Sequence, residues 1–166
     1  MIEEIVEICH TSEQYDGAGL TPFQRHIDDY IAGKRTVPVS RTTRDGGDSN
    51  IYFTFSDKLM KYFAKDENHI KKSYEAALKY GFRGHSKGGK NGIFYVRKKD
   101  SRIKKMMPKL ITKNGDAIQN DLEIGKEGLS KLKYVKIVCH NPSGERVVGV
   151  YNENNGRILF LDMARY

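Results

Sequence analysis

Residues 134–163 read YVKIVCHNPSGERVVGVYNENNGRILFLDM, and this stretch decides the fold. It holds three runs rich in β-forming residues, at positions 134–140, 146–151 and 157–163. Pro-Ser-Gly separates the first two runs, and Asn-Gly precedes the third. Short turns of this kind join neighbouring strands that run in opposite directions. The stretch therefore predicts a three-stranded antiparallel meander.

The residues before the meander predict helices and further strands. Residues 36–42 predict a strand that Pro38 confines to the edge of a sheet, because proline cannot donate to the ladder. Residues 22–32 begin with a proline and are followed by a glycine, which is typical of a helix. Residues 50–55 are rich in β-formers and predict a strand, with Ser56 as the cap of the next helix. The class is therefore α+β: N-terminal helices followed by a mostly antiparallel sheet.

Two stretches in the middle of the chain lead to more specific expectations. Residues 101–110 predict a basic helix that Pro108 stops, because proline cannot donate a backbone hydrogen bond. Gly115 begins a stretch that reaches residue 124, and irregular structure is expected there.

Length and composition predict one α+β domain over residues 1–166. It consists of a helical N-terminal segment, 1–35, and a sheet-containing body, 36–166. The chain has 38% hydrophobic and 30% charged residues, with two cysteines. No apolar run approaches the roughly 18 residues that span a bilayer, and the acidic start is unlike a signal peptide. These features predict a cytoplasmic protein without membrane association.

Positive charge is concentrated in the middle of the chain, although the whole chain carries a net +8. Residues 83–109 hold ten basic residues and one acidic residue, with aromatic residues between them. Cations release counterions from a polyanion, and aromatic rings can stack on bases, so this segment predicts a nucleic-acid partner. The candidate contacts are Arg83, Lys87, Lys90, Tyr95, Arg97, Lys98, Lys99, Arg102, Lys104 and Lys105.

Two familiar motifs are incomplete. Residues 84–91 nearly match a nucleotide-binding phosphate loop, but an asparagine replaces the hydroxyl residue and the expected context is helix then strand. Cys139 and His140 are adjacent and would point to opposite faces of a strand, so they are poor partners for one zinc ion. Cys139 is instead expected in the core beside Val135 and Ile137. No metal is predicted.

Histidines suggest one enzymatic activity. His26 and His85 could act as base and acid in RNA cleavage, with Lys87 or Arg97 stabilising the phosphorane. This hypothesis describes a metal-independent endoribonuclease of the small toxin type. It has a non-enzymatic alternative, a basic RNA- or DNA-binding protein.

Three short segments in order carry a further pattern. They are residues 40–42 around Arg41, the strand 51–56 running into a helix, and the acidic group Asp121-Leu122-Glu123-Ile124. This order resembles the mono-ADP-ribosyltransferase family.

The resemblance implies an NAD-dependent transferase that modifies a nucleic acid or an associated protein. This is the leading functional expectation, and the nucleic-acid-binding protein and the endoribonuclease are its alternatives. It gives Glu123 the catalytic role, with Asp121 directing the acceptor and Arg41 holding the NAD phosphate. It places Tyr52, Thr54 and Ser56 at the nicotinamide pocket. A carboxylate on the ribose and an arginine on the pyrophosphate suit that chemistry. The acceptor and any inhibitor protein stay open.

Overall fold

The three predicted C-terminal strands lie at the centre of a seven-stranded sheet. A computed structural model describes residues 22–33, 35–39, 51–64, 68–85, 91–139 and 144–165. The strands are β1 Val37–Val39, β2 Ile51–Phe55, β3 Phe82–Gly84, β4 Gly92–Tyr95, β5 Lys133–Val138, β6 Glu145–Asn152 and β7 Arg157–Arg165. Their order across the sheet is β1-β2-β7-β6-β5-β4-β3.

The meander is confirmed, because β5 pairs antiparallel with β6 and β6 with β7. Two pairs are parallel, β2 with β7 and β3 with β4, so the sheet is mixed. The α+β class is confirmed. The predicted edge strand with Pro38 is also confirmed: β1 lies at the end of the sheet, where a missing N–H can be tolerated.

Helices cover both faces of the sheet. They are α1 Pro22–Ile31, α2 Asp57–Ala64, α3 Asn68–Tyr80, α4 Ser101–Lys113 and α5 Gly115–Leu122, with a 3₁₀ helix at Lys126–Lys131. Helices α1 to α3 pack on one face, which we call the first face, and α4 and α5 pack on the second. Val135, Ile137 and Cys139 are buried on the first face, as expected for Cys139. Burial on both faces explains the nearly continuous apolar runs of the central strands.

Local signals in the sequence fix several helix ends. Ser56 caps α2 as predicted, because the Leu59 N–H donates to Ser56 Oγ at 3.3 Å. Gly81 ends α3 with a φ of +65°, a conformation that favours glycine. The expected helix over residues 22–32 is confirmed as α1, Pro22–Ile31. Residues 1–21 of the N-terminal segment lie outside the described residues.

Two expectations in the middle of the chain are wrong. Pro108 does not stop α4, which continues to Lys113. Pro108 itself is exposed, while Ile103 and Met107 are buried against the second face, and this packing outweighs the lost hydrogen bond. Residues 115–122 form α5 rather than irregular structure, because burial of Ile118 and Leu122 stabilises a sequence with little intrinsic preference.

Strand β7 contains a bulge next to Asp162. Phe160 pairs with Gly149 and Asp162 pairs with Val148, so Leu161 is the extra residue. A Cβ at Gly149 would collide with the Leu159 carbonyl, which explains the glycine there. Because of the bulge, the Asp162 side chain no longer follows the strict alternation of side chains between the two faces of the sheet. Its carboxylate accepts a hydrogen bond from Lys58 Nζ at 2.7 Å.

Across the described ranges, no helix is both long and apolar enough to cross a membrane.

Candidate functional site

A group of three aromatic rings lies beneath an open pocket at one end of the sheet, and one of them, Tyr95, lines the pocket. We call Phe82, Tyr95 and Tyr151 the aromatic floor. Phe82 and Tyr151 are buried, with ring centroids 5.1 Å apart. Tyr95 packs edge-on against Phe82 at 5.2 Å. Rings packed in this way contribute more than their buried area alone, so the floor is rigid.

Three side chains with acid–base chemistry lie on this floor. The Tyr95 hydroxyl donates a hydrogen bond to Glu153 Oε2 at 3.1 Å. The His85 ring centroid is 5.1 Å from that of Tyr95, with the rings tilted by 37°. The surrounding pocket, which we call the His85–Glu153 pocket, has a volume of about 440 Å³. Its lining comprises His85, Tyr95, Val96, Leu132, Lys133, Tyr134 and Glu153.

The topology explains why residues distant in sequence meet in this pocket. Tyr95 ends β4, Lys133 begins the antiparallel strand β5, and Glu153 follows β6. These three termini therefore lie at the same end of the sheet. His85 follows Gly84, whose φ of +79° turns the chain after β3.

The β6–β7 loop that carries Glu153 is fastened to α5. Asn152 Nδ2 and Asn155 Nδ2 both donate to the Leu122 carbonyl, at 3.1 and 2.8 Å. This carbonyl belongs to the last turn of α5, where backbone oxygens lack partners within the helix. The asparagines therefore satisfy the helix end and hold the loop in place.

The turn after β4 is held by a buried ion pair. Lys136 Nζ lies 2.6 Å from Asp100 Oδ2, and the two side chains are 1% and 3% exposed. The same carboxylate oxygen accepts the Arg97 backbone N–H at 2.8 Å. Lys98 and Lys99 are exposed on this turn, so the buried pair fixes two of the predicted nucleic-acid contacts.

The other predicted nucleic-acid residues have varied positions. Arg83 is exposed on β3, and its guanidinium donates to the Asn91 carbonyl at 3.3 Å. Arg102, Lys104 and Lys105 are exposed on α4. Lys87 and Lys90 lie outside the described residues.

A second group of charged residues lies at the other side of the β6–β7 loop. Glu123 ends α5 with a φ of +56°, and its Oε1 is 3.3 Å from Arg157 Nη2. Asp121 is partly buried, and burial raises the pKa of its carboxyl. Asp57 adds to that rise in pKa, while Arg35 and Arg157 oppose it. We call Arg35, Asp121, Glu123 and Arg157 the Asp121–Glu123 cluster.

The remaining residues of the predicted NAD site lie on or beside β2. Tyr52 pairs with Arg157 in the parallel β2–β7 register, which brings β2 to the Asp121–Glu123 cluster. Thr54 is 8% exposed. Ser56 caps α2 and also donates to the Leu161 carbonyl at 2.9 Å, so it has a structural role. Arg41 lies outside the described residues.

The two histidines of the ribonuclease hypothesis are not brought together. His26 is 2% exposed and stacks on Tyr74 with ring centroids 4.5 Å apart. Burial lowers the pKa of His26 to about 4. His85, in contrast, is exposed in the His85–Glu153 pocket. His26 therefore belongs to the core and cannot reach a substrate there.

Sequence reasoning missed Glu153, Lys133 and Tyr134 as pocket residues. Glu153 lies 58 positions from its partner Tyr95, and the sequence around it reads as an ordinary turn. Lys133 and Tyr134 belong to the start of a strand and carry no motif. The sequence did indicate one residue of this pocket, Tyr95, because it lies within the basic segment of residues 83–109.

Neither the possible metal ligands nor the comparisons with known proteins assign a function to this site. In the part of the chain that the structure describes, no group of three His, Cys, Asp or Glu side chains could hold a metal ion. The predicted likeness to mono-ADP-ribosyltransferases stays a prediction. No family model, no curated protein and no solved structure matches this chain.

Proposed function

We propose that this protein is an endoribonuclease that cleaves RNA by attack of the RNA's own 2′-hydroxyl. The observation that carries the proposal is the His85–Glu153 pocket, where His85, Tyr95, Glu153 and Lys133 line one open cavity. An acid, a base and a cation within one cleft are the groups that this reaction requires. The proposal keeps His85 from the sequence hypothesis and replaces His26 with Glu153.

The chemistry assigns one role to each side chain. The 2′-oxygen bonds to phosphorus, and the bond from phosphorus to the 5′-oxygen breaks. Glu153 accepts the 2′-proton, and His85 in its protonated form donates a proton to the departing 5′-oxygen. Lys133 stabilises the charge on the phosphorane. The products are a 2′,3′-cyclic phosphate and a 5′-hydroxyl, which balance all atoms and protons.

Tyr95 orients the base in this scheme. Its hydroxyl donates to Glu153, and its ring is held by Phe82 and Tyr151 on the aromatic floor. A carboxylate with a fixed partner keeps its remaining lone pairs aimed into the pocket. Tyr95 is therefore a positioning residue.

The charge of the surroundings suits a polyanionic substrate. Arg83, Lys98 and Lys99 are exposed on the strand and turn that flank the pocket. Cations near a reacting phosphate raise the local concentration of nucleic acid and make its binding depend on salt. We place the protein in the cytoplasm, where RNA is present and thiols such as buried Cys139 stay reduced.

The decisive experiment incubates the purified protein with an end-labelled RNA of mixed sequence. We expect fragments that end in 2′,3′-cyclic phosphate. Replacing the ribose at a cleavage position by deoxyribose should abolish cleavage there, because the nucleophile is removed. Glu153→Gln should lower the rate by about 10²- to 10⁴-fold.

A matched control is Glu127→Gln, which makes the same change at an exposed position on the 3₁₀ helix. It should leave the rate unchanged. Cleavage of the deoxy-substituted position, or equal rates for Glu153→Gln and Glu127→Gln, would contradict the proposal.

A second candidate is the NAD-dependent mono-ADP-ribosyltransferase activity. It is favoured by the Asp121–Glu123 cluster, in which two acids of α5 lie with Arg157 beside strand β2. In this reaction the bond between nicotinamide and ribose C1′ breaks, and an acceptor nucleophile bonds to C1′. Glu123 would stabilise the positive charge on the ribose, while Arg35 or Arg41 would hold the pyrophosphate.

This candidate is tested by release of nicotinamide from NAD and by calorimetric titration with NAD. Glu123→Gln should abolish release and leave RNA cleavage intact. Glu153→Gln should do the reverse. Absence of NAD binding by the unmodified protein at low salt would exclude the transferase and leave the ribonuclease.

A further inference from the structure

Tyr80 at the end of α3 carries an exposed aromatic ring. Its residue exposure is 39%, and among the described residues it is the one large hydrophobic residue counted as exposed. In proteins that bind single-stranded nucleic acid, exposed aromatic rings serve as platforms on which bases stack.

Two cations lie over this ring. Lys79 Nζ is 5.3 Å and the Arg83 guanidinium carbon 5.7 Å from the ring centroid. A cavity of about 350 Å³ adjoins it. The cavity is lined by Lys72, Glu75, Ala76, Lys79, Tyr80, Asn91 and Cys139. The two lysines and one carboxylate of this lining, with Arg83 near the ring, suit a base with its neighbouring phosphates.

The backbone beneath Tyr80 is held rigidly. The Gly81 N–H donates to the Ala77 carbonyl, and the Ile93 N–H donates to the Gly81 carbonyl, both at 2.9 Å. Gly92 allows β4 to approach closely: a Cβ there would lie 2.9 Å from Arg83 Cδ and 3.2 Å from Tyr80 Cβ. Tyr80 and Arg83 are therefore presented by fixed elements rather than by a loose loop.

We propose that Tyr80 is a stacking platform for an unpaired base of single-stranded RNA, with Lys79 and Arg83 binding the adjoining phosphates. The choice of RNA as the ligand rests on the proposed ribonuclease function. Tyr80 and His85 are five residues apart, so at most about 18 Å of chain separates them. A short single strand spans that distance, and Arg83 lies between the two residues.

The cations and the Tyr80 ring together favour single-stranded over double-stranded RNA. A base inside a duplex has no free face, whereas a splayed base can stack on tyrosine. Stacking of this kind is worth a factor of about 5 to 150 in affinity on replacement by alanine. The predicted contact Arg83 thereby becomes part of a path that runs from Tyr80 to the His85–Glu153 pocket.

The test measures binding by fluorescence anisotropy with a 2′-O-methyl RNA strand, which the proposed reaction cannot cleave. Tyr80→Ala should weaken binding by about 5- to 150-fold. Tyr80→Phe, which keeps the ring, should bind as the unmodified protein does. Lys79→Ala should also reduce the dependence of affinity on salt, by about one unit of slope, while Tyr80→Ala should not change it.

A fluorescence measurement reports stacking directly. The chain contains no tryptophan, so Tyr80→Trp introduces a single emitter. Its emission should be quenched when the strand binds. Tyr62→Trp, at a partly buried position of α2, is the control and should not respond.

Two results would overturn the platform: equal affinity of Tyr80→Ala and the unmodified protein, or an equal loss with double-stranded RNA. Failure of the ribonuclease proposal is distinguishable, because it is absence of cleavage of ordinary RNA. In that case a Tyr80-dependent affinity for the single strand would still support the platform.

Discussion

Two histidines of this protein each lie against aromatic rings, yet their regions differ in kind. His26 is buried on the first face, stacked on Tyr74 and 5.6 Å from the Phe55 ring. His85 lies against Tyr95 at 5.1 Å in an open pocket. An aromatic neighbour therefore does not decide the role of a histidine. Burial decides it: His26 stabilises the core, while His85 can meet a ligand.

The largest expected effect tests this difference directly. His85→Ala should slow RNA cleavage by about 10²- to 10⁴-fold, while the free energy of unfolding changes by at most about 0.5 kcal/mol, as for surface positions. His26→Ala should instead lower the free energy of unfolding by several kcal/mol, because it opens a cavity in the aromatic core. The measurements are cleavage rates and urea unfolding of both variants. A stability loss for His85→Ala equal to that for His26→Ala would refute the comparison.

The next effect extends the comparison from histidines to ion pairs. Lys136→Met leaves the Asp100 carboxylate buried without its cation, which should cost about 3–5 kcal/mol in free energy of unfolding. Lys58→Met is the matched control at the exposed Lys58–Asp162 pair and should cost about 1 kcal/mol or less. Urea unfolding measures both. Adding Asp100→Asn to Lys136→Met should restore part of the loss, and a further loss would show that the charge is not the cause.

A smaller effect concerns pH and His26. The pKa of His26 is about 4 in the folded protein and about 6.5 in an unfolded chain. Between these values the unfolded chain binds the proton more readily. The stability from this group is therefore complete above pH 6.5 and is lost as pH falls toward 4, by about 3 kcal/mol in total.

His26→Phe keeps the stacking and removes the titration. The variant should show a flatter fall in unfolding free energy between pH 6.5 and 4 than the unmodified protein. The difference between the two curves is the quantity to compare, because carboxyl groups titrate in both. Parallel curves would mean that His26 titrates normally.

The smallest effect concerns the hydrogen bond from Tyr95 to Glu153. Tyr95→Phe keeps the ring on the aromatic floor and removes one donor. A loss of about 1 kcal/mol corresponds to a roughly fivefold decrease in kcat/KM. Tyr62→Phe, on α2 outside the pocket, should leave kcat/KM unchanged. A fall of a hundredfold or more for Tyr95→Phe would mean that Tyr95 itself transfers a proton.

The sequence allowed correct prediction of features that depend on near neighbours. The meander, the Ser56 cap and the edge position of Pro38 follow from turn residues, a short side-chain contact and a missing donor. Pro108 and residues 115–122 were misread because burial of Ile103, Met107, Ile118 and Leu122 outweighs local preference. Such burial depends on contacts with distant strands, which no local pattern contains.

The candidate site was predicted only in part, because some of its residues also depend on contacts with distant strands. His85 and Tyr95 come from the basic segment that the charge pattern identified. Glu153 could not be found, because its place beside Tyr95 depends on the register of three strands and on two asparagines bound to α5. The fold brings these residues together, and the sequence around Glu153 shows only a turn.

The position of β7 between β2 and β6 has a consequence for the order in which the molecule can form during synthesis. β7 is the last of the seven strands along the chain, yet it is the one that joins β1 and β2 to the rest of the sheet. As the chain leaves the ribosome, its sheet therefore stays in two separate parts until β7 emerges. The β6–β7 loop with Glu153 closes at that same late moment. We expect an RNA-cleaving site built in this way to remain inactive on the nascent chain and to be completed only when the two parts of the sheet meet.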